Sequence, residues 1–593
     1  MKGSFNYGDV EIKANAYKTS KESCLAGILG IIDVATTSVV DSCYNYGTIR
    51  LSGTQAKIIA GIVGFVVKGT TIKKCQNYGL IELTASVGGT TIAGICALGN
   101  DKVKLESCEN HGKIINNYKS QGAYVGGIMG YLKGASKSEI IGCSNYGTIN
   151  CTSTYAYAGG IISTKEGAGA LTISNCKSAT ETVGGNKMGN ITVNASQNSY
   201  VGGVIAWIKD CTVNISNSDF DSSIAFTSAA EADAGGIVGL VGYKSGNNNF
   251  ISSDVTISEC NKNQSSQASI TVSGVNTYVS GVYGRGYVAG KTVVTNTCNK
   301  AKVEATGKGN LAVGGVVAYA ERGTFTVTGC SNSGIIDAKR TLADEGPGMF
   351  GGIVGYVAKA TEIKTCSNTG NISYNAFDDD KYYAMGGIAG RGPALTIEDC
   401  VNTGNLTANH KTTNQLANVG GIIGSAHGGC TIKNNVNGAK DNALLGAIVS
   451  TNSASTTAYA GGIVGGDNEG TTDAATTNVI TGNKNYGTVT AAANGVTLTT
   501  SGAGGIIGTL RRIPTTFSDN TNYGNVSASG ATTNAAGAIC GYMESTKAAI
   551  SSIAYTGLTV NGVAKADATD PDLWLCGSSK GGTVTATYVD AIQ

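Results

Sequence analysis

The sequence has little proline, little charge and no long apolar run. Proline occupies 4 of 593 positions, and charged residues make up 14%. No stretch approaches the roughly 20 consecutive apolar residues of a membrane-spanning helix. The 42 basic and 40 acidic residues form no block of one sign, so the charge pattern predicts neither a nucleic-acid partner nor an anionic membrane surface.

Motifs for common chemistries are also missing. The three histidines, His111, His410 and His427, form no H-E-x-x-H zinc motif. No nucleophile elbow, P-loop or dinucleotide-binding fingerprint stands between a predicted strand and a predicted helix. The sequence therefore predicts no protease zinc site and no cofactor, with Ca²⁺ at one acidic cluster, described below, as the exception left open.

What the sequence does contain is a repeat. Ala60-Gly61-Ile62-Val63-Gly64 is followed by Cys75-Gln76-Asn77-Tyr78-Gly79, and the two elements recur together. The second glycine of the first element can be followed through fifteen copies, from Gly27 to Gly537, at a spacing near 33 residues. A fixed period of this length is typical of a stacked repeat protein.

Each period contains three β-type runs, for example residues 60–67, 70–75 and 79–83. Their β-branched residues alternate with period two, and helical spacing is absent. We therefore predict an all-β fold, a single-stranded parallel β-helix (β-solenoid) with three strands per coil and about fifteen coils of roughly 33 residues. The array is predicted to span residues 1–563, and residues 564–593, which leave the period, are predicted to cap it.

Alternation in Cys75-x-Asn77-x-Gly79 places the cysteine and the asparagine on the core side. Stacked asparagines are predicted to hydrogen-bond from coil to coil. Ile72 stands three positions before Cys75, and both can face inward only if the chain bends between them. Ten cysteines, with Cys298 counted among them, are assigned to this column. We predict buried free thiols, because stacked side chains point the same way; some disulfides are the alternative.

Two features have two interpretations each. The residue two positions after the second glycine (Val63, Val238, Val354) either forms an outward apolar ribbon that docks a partner or is buried because the paired glycines kink the strand. The outward-facing Tyr46, Tyr78 and Tyr146 either stack on sugar rings or stack on one another to stabilise an exposed ladder.

The densest acidic cluster is a candidate site of a different kind. Its residues lie in equivalent loops of neighbouring coils: Asp344, Glu345, Asp378, Asp379 and Asp380. Sugar-cleaving enzymes need two carboxylates about 5–10 Å apart, so the cluster could bind a sugar or Ca²⁺ at one corner. The alternative is a solvated loop, because Arg340 and Lys381 lie beside it.

The glycine elements, such as Gly61-Ile62-Val63-Gly64 and Gly352-Ile353-Val354-Gly355, resemble the GLUG-motif repeats of bacterial surface proteins over nearly the whole chain. These repeats occur in adhesin-like proteins and in non-catalytic regions of some IgA-specific metalloproteases. The resemblance implies a secreted or cell-surface scaffold. Since the first repeat is entered in mid-phase, we interpret the chain as a fragment and expect its export signal or anchor to lie outside it.

The sequence therefore favours a non-catalytic stalk or adhesin-like binding module. Its expected partners are glycans or proteins of a host or bacterial surface, and lateral or end-to-end self-association is a further expectation. The alternative is a polysaccharide-processing enzyme, a lyase or hydrolase, with its site near Asp378.

Overall fold

The computed structural model confirms the predicted fold class, since both compact units of the chain are all-β parallel solenoids. Unit 1 comprises Met1–Val293 with Lys300–Lys302, and unit 2 comprises Val294–Asn299 with Val303–Gln593. The structure describes residues 1–12, 23–34, 37–52, 57–84, 88–118, 122–183, 185–245, 249–287, 290–341, 346–376, 382–411, 417–442, 444–453, 457–467, 476–493, 500–544, 549–550, 553–555, 559–561, 563–564, 575–579, 583–584 and 587–588. No helix in these ranges is long and apolar enough to cross a membrane.

A turn of unit 1 contains five short strands, which we call walls one to five in chain order. One turn consists of Ile58–Ala60, Val63–Val66, Thr70–Lys73, Gln76–Asn77 and Ile81–Leu83. Each strand pairs in parallel with its equivalent in the next turn. The three predicted runs are therefore present, and a bend divides the first of them into two strands. Gln76–Asn77 forms a further strand outside the predicted runs, so a turn contains five strands rather than the predicted three.

Walls one and two of unit 1 meet at the bend that follows the paired glycines. Wall one consists of Cys24–Ala26, Ile58–Ala60, Thr90–Ala93, Ala123–Gly126, Ala156–Gly159, Ser199–Gly202, Glu231–Gly235 and Asn276–Ser280. Wall two consists of Leu29–Ile32, Val63–Val66, Cys96–Gly99, Met129–Leu132, Ile162–Glu166, Ile205–Lys209, Val238–Val241 and Tyr283–Gly286. An antiparallel hairpin of Tyr243–Ser245 and Asn249–Ile251 follows wall two.

Unit 2 repeats the same five-strand turn. One turn consists of Gly348–Gly351, Val354–Val357, Thr361–Lys364, Ser367–Asn368 and Ile372–Ala376. Near the end of the chain, Cys576–Ser579 and Thr583–Val584 still pair in parallel with strands of the preceding turn. The predicted division at residue 564 stays a prediction.

The predicted asparagine ladder is present on wall four of each unit. In unit 1 the Nδ2 of each asparagine donates to the Oδ1 of the next at 2.7–2.8 Å, in the order Asn6, Asn45, Asn77, Asn110 and Asn145. In unit 2 the same bonds join Asn299, Asn332, Asn368, Asn402, Asn437, Asn485 and Asn522. Most of these amides also donate to the carbonyl of the glycine two residues later, as Asn77 does to Gly79 at 3.0 Å.

The glycine pair faces this ladder across the interior. A Cβ on Gly61 would overlap the Asn77 amide, and a Cβ on Gly352 would overlap that of Asn368. The two elements of the repeat are therefore the two sides of one contact, in which a missing side chain makes room for a buried amide.

The predicted bend before the cysteine is confirmed. Ile72 and Cys75 are both fully buried. The residue just before the cysteine adopts a left-handed conformation, with φ of 52° at Lys74 and 50° at Thr365. This conformation is uncommon for residues other than glycine, and its recurrence marks a fixed corner of the solenoid.

All 17 cysteines are free and 15 of them are buried, which confirms the predicted thiols. The assignment of Cys298 to the column was wrong. Cys298 pairs with Ser331 rather than with Cys330, so Thr297 occupies the column position and Cys298 is half-buried. The sequence carries a sign of this one-residue offset, because Val294 and Cys298 are four residues apart instead of three.

Burial also decides between the two interpretations of the paired-glycine strand. Val63, Val238 and Val354 are all 0% exposed, so the outward apolar ribbon was wrong. The chain bends between walls one and two, which buries both aliphatic positions. The last copy also shifts by one residue: Gly537 pairs with Gly504, so Ala538 takes the place of the second glycine.

The ladder gives a stability prediction. We expect Asn368→Ala to lower the free energy of unfolding of unit 2 by about 3 kcal/mol, because it leaves buried hydrogen-bonding groups of Asn332, Gly370 and Asn402 without a partner. The matched control is Asn409→Ala, which removes an exposed Asn–Asn bond of 3.0 Å and should cost less than about 0.5 kcal/mol. Equal losses in denaturant unfolding would contradict the ladder's role.

A buried histidine gives a pH prediction. His410 is 1% exposed, packs its ring edge-on against Tyr383 at 4.8 Å, and has no hydrogen bond from either ring nitrogen to the described residues. Burial lowers the pKa of His410 to about 3. The unfolded chain binds a proton near pH 6.5, so unit 2 loses stability as pH falls from about 6.5 toward 3.

We expect His410→Phe to keep the ring contact and to reduce the loss of stability between pH 7 and pH 4.5 by roughly 2–3 kcal/mol. His427, whose pKa burial also lowers to about 3, is present in both proteins, so the difference isolates His410. Identical pH dependence of thermal or denaturant unfolding would show that His410 titrates normally in the folded state.

Candidate functional site

The predicted acidic corner lies outside the described residues. Its members are Asp344, Glu345, Asp378, Asp379 and Asp380. A sugar or Ca²⁺ site there stays a prediction. Among the residues that the structure describes, no group of three or more His, Cys, Asp or Glu side chains could hold a metal ion.

The predicted tyrosine column is formed in unit 1. The rings of Tyr46 and Tyr78 stack with centroids 5.1 Å apart and planes 3° apart, and His111 lies between Tyr78 at 4.7 Å and Tyr146 at 5.1 Å. Each ring covers the face of its neighbour, so the column presents mainly ring edges to solvent. Its geometry suits a stack that stabilises an exposed ladder, and ligand binding there stays a prediction.

His111 is also held by two carboxylates. Its Nδ1 lies 2.8 Å from Glu181 Oε1 and its Nε2 lies 3.2 Å from Glu109 Oε2. Glu181 belongs to a hairpin formed by Glu181–Val183 and Asn186–Met188. These contacts fix the imidazole in the column between its two tyrosine neighbours.

A second aromatic surface lies at the corner between walls one and two of unit 1. In the turns that carry two glycines, the first leaves no room for a side chain, since a Cβ on Gly202 would overlap the carbonyl oxygen of Ile205; other turns have alanine or serine at this position. The walls therefore approach closely. Side chains seven residues apart meet across the bend, as Tyr200 and Trp207 do with ring centroids 5.1 Å apart. The corner is concave.

Stacking of the turns extends these two positions into two facing columns. In wall one the register aligns Tyr124, Tyr157, Tyr200, Asp233 and Tyr278. In wall two it aligns Tyr131, Thr164, Trp207, Leu240 and Arg285. Rings touch both along and across the columns: Tyr157 lies 5.3 Å from Tyr200 and 4.8 Å from Trp207.

The two columns and the hairpin that begins at Tyr243 border a cavity of about 330 Å³. This volume is at the lower end of the range for small-molecule sites. We call the cavity and its lining the aromatic cleft. Its lining comprises four rings, one aliphatic side chain and three polar ones: Tyr200, Trp207, Tyr243, Tyr287, Leu240, Asn198, Glu231 and Arg285.

One side of the cleft is formed by an arginine that lies between two tyrosine rings. The guanidinium carbon of Arg285 lies 4.4 Å from the ring centroid of Tyr278 and 4.6 Å from that of Tyr287. Its Nη1 is 2.5 Å from Glu231 Oε2 and 3.9 Å from Asp233 Oδ2. The stacking and the ion pair together fix the position of the guanidinium.

Asp233 is fully buried beside this pair, and neither of its oxygens has a hydrogen bond to the described residues. Burial raises the pKa of Asp233 well above its ordinary value, and the charge of Glu231 adds to the effect. Asp233 therefore keeps its proton to a higher pH than an ordinary aspartate, and Glu231 supplies the carboxylate in contact with Arg285.

A lysine lies beside the cleft, against two of its rings. Lys209 Nζ lies 4.4 Å from the Trp207 ring centroid, 4.9 Å from that of Tyr243 and 3.1 Å from Glu166 Oε2. Arg285 and Lys209 thus each contact a carboxylate, Glu231 and Glu166 respectively.

This cleft is not among the predicted sites, although the sequence carries a signal for it. Tyrosine stands three positions before the second glycine in three successive turns: Tyr124-Val-Gly-Gly, Tyr157-Ala-Gly-Gly and Tyr200-Val-Gly-Gly. The partner position, four residues after that glycine, varies more and includes Tyr131 and Trp207. Read together, the two offsets indicate aromatic residues on both sides of one bend.

Comparison of the chain with protein-family models, with curated proteins and with solved structures finds no match in any of the three.

Proposed function

We propose that the chain is a non-catalytic binding module of a secreted or cell-surface protein and that its aromatic cleft binds a glycan. The observation that carries this proposal is the cavity of about 330 Å³ lined by four aromatic rings and by polar side chains. A sugar ring has apolar C–H faces and a rim of hydroxyl groups. Aromatic rings match the faces, and a few fixed polar groups match the hydroxyls.

The scaffold supports binding with little reorganisation. Tyr200, Trp207 and Glu231 stand on strands that pair with neighbouring turns, so their backbones are already ordered before a ligand arrives. Preorganisation of this kind lowers the entropic cost of association.

The carboxylates of the cleft support binding without cleavage. A glycosidase needs two carboxyl groups that reach the scissile bond from either side. Glu231 is paired with Arg285, and Asp233 is 0% exposed. Cleavage at the acidic cluster near Asp378 is the competing function, and its sign would be product release that is lost on Asp379→Ala.

Binding and turnover can be measured on one panel of neutral and acidic oligosaccharides. We expect binding without release of shorter products. Trp207→Ala should weaken binding about tenfold or more, because a buried aromatic anchor typically contributes at least that much. Tyr243→Ala, on the hairpin, should also weaken binding. It provides a second test of the site in case Trp207→Ala does not fold.

The matched control is Tyr78→Ala, which removes an exposed ring, 42% accessible, from the tyrosine column. It should leave glycan affinity unchanged. Loss of binding in Tyr78→Ala alone would move the site to the column. Failure of the whole panel to bind would contradict the proposed function.

A further inference from the structure

Among the residues that the structure describes, two ion pairs lie at the aromatic cleft or beside it. Arg285 contacts Glu231, and Lys209 contacts Glu166. Both cations also lie over ring faces of the cleft or beside it. A ligand that enters the cavity therefore meets aromatic surface and hydrogen-bonding groups, while each cation is already balanced by a carboxylate.

The Arg285–Glu231 ion pair determines the affinity of the cleft for an acidic ligand. The Arg285 side chain is 8% exposed and the Glu231 side chain 18%. A carboxylate or sulfate on a ligand would have to displace Glu231 from the guanidinium. The displaced Glu231 would then lie in a poorly solvated site near both the ligand anion and Asp233, and such uncompensated burial of charge is strongly unfavourable.

The same pair suits an uncharged, hydroxyl-rich ligand. Glu231 lines the cavity and accepts hydrogen bonds, while Arg285 holds it in place. The backbone N–H of Glu231 donates to Asn198 Oδ1 at 3.2 Å, which leaves the Asn198 amide nitrogen as a donor at the same rim. A hydroxyl group both donates and accepts, so it can use the two side chains together.

We infer that Glu231 is the specificity-determining residue of the aromatic cleft: by occupying Arg285, it makes the cleft select uncharged glycans over glycans that carry carboxylate or sulfate groups. Arg285 acts on the ligand through Glu231 and is a positioning residue. This inference rests on the proposed function, because it assumes that the cleft binds glycans at all.

The test compares neutral and acidic hexasaccharides. The neutral probes are cellohexaose, mannohexaose and chitin hexasaccharide, and the acidic probe is hexagalacturonate, which carries one carboxylate per ring. We expect the wild-type protein to bind at least one neutral probe at least about tenfold more tightly than hexagalacturonate. In Glu231→Gln the carboxylate of Glu231 no longer competes with an acidic ligand for the guanidinium, so affinity for hexagalacturonate should rise about tenfold or more.

A second variant covers the case in which Asp233 ionises and replaces Glu231 at the guanidinium. Glu231→Gln with Asp233→Asn should raise hexagalacturonate affinity at least as much as the single substitution does. A measurement on the unmodified protein is independent of both variants. Its affinity for the neutral probe should change less than about twofold between roughly 0.05 and 0.5 M NaCl, because the ligand carries no charge to be screened.

Two outcomes would overturn the inference: a wild-type preference for hexagalacturonate, or a neutral-to-acidic affinity ratio that neither variant changes. Absence of binding to all four probes would instead contradict the proposed function, so the two failures are distinguishable.

Discussion

The packing of the glycine column against the asparagine ladder is the contact on which each solenoid unit depends. A side chain at Gly61 or Gly352 would occupy the space of the Asn77 or Asn368 amide. The amide in turn needs the next asparagine and a glycine carbonyl to satisfy its hydrogen bonds. Since an unpaired buried amide costs on the order of 1–3 kcal/mol for each group, each turn that carries the asparagine must place both elements in register with its neighbours. In unit 1 the ladder ends at Asn145, and Ser178 and Phe220 take the asparagine position in the next two turns.

This constraint fixes the inside of the turn and leaves the outside free to vary. The bend at the paired glycines brings walls one and two so close that their outward side chains meet, and the register carries each such position from turn to turn. A substitution three residues before or four residues after the second glycine then changes the lining of a cleft without changing the fold. In unit 1 these offsets hold tyrosine, tryptophan and a stacked arginine; in unit 2 several of them hold small or polar residues, such as Asn418, Gly466 and Gly502.

Features that repeat with the period could be predicted from the sequence. The solenoid, the asparagine ladder, the bend between Ile72 and Cys75 and the buried thiols all follow from alternation and spacing. Features that depend on how the chain bends could not. Alternation alone left the burial of Val63 undecided, because a kink lets adjacent residues both face inward. One-residue shifts at Cys298 and Ala538 were missed because matching residue types along the sequence does not give the pairing partner.

The aromatic cleft was missed for a related reason. Tyr200 and Trp207 are seven residues apart and lie on different walls, so no strand periodicity connects them. Their proximity follows only from the bend at Gly202, and the neutralisation of Arg285 by Glu231 joins side chains from two turns. Such contacts depend on which residues of neighbouring turns pair with one another, and this pairing cannot be read directly from a single sequence.

The most direct test is a crystal structure of the chain soaked with a neutral oligosaccharide that it binds in solution. We predict an intact ligand in the aromatic cleft, with a sugar ring in contact with Trp207 or Tyr243 and a hydroxyl group within hydrogen-bond distance of Glu231. A ligand bound only at the Tyr46 and Tyr78 column, or a cleaved ligand near Asp378, would contradict a glycan-binding cleft.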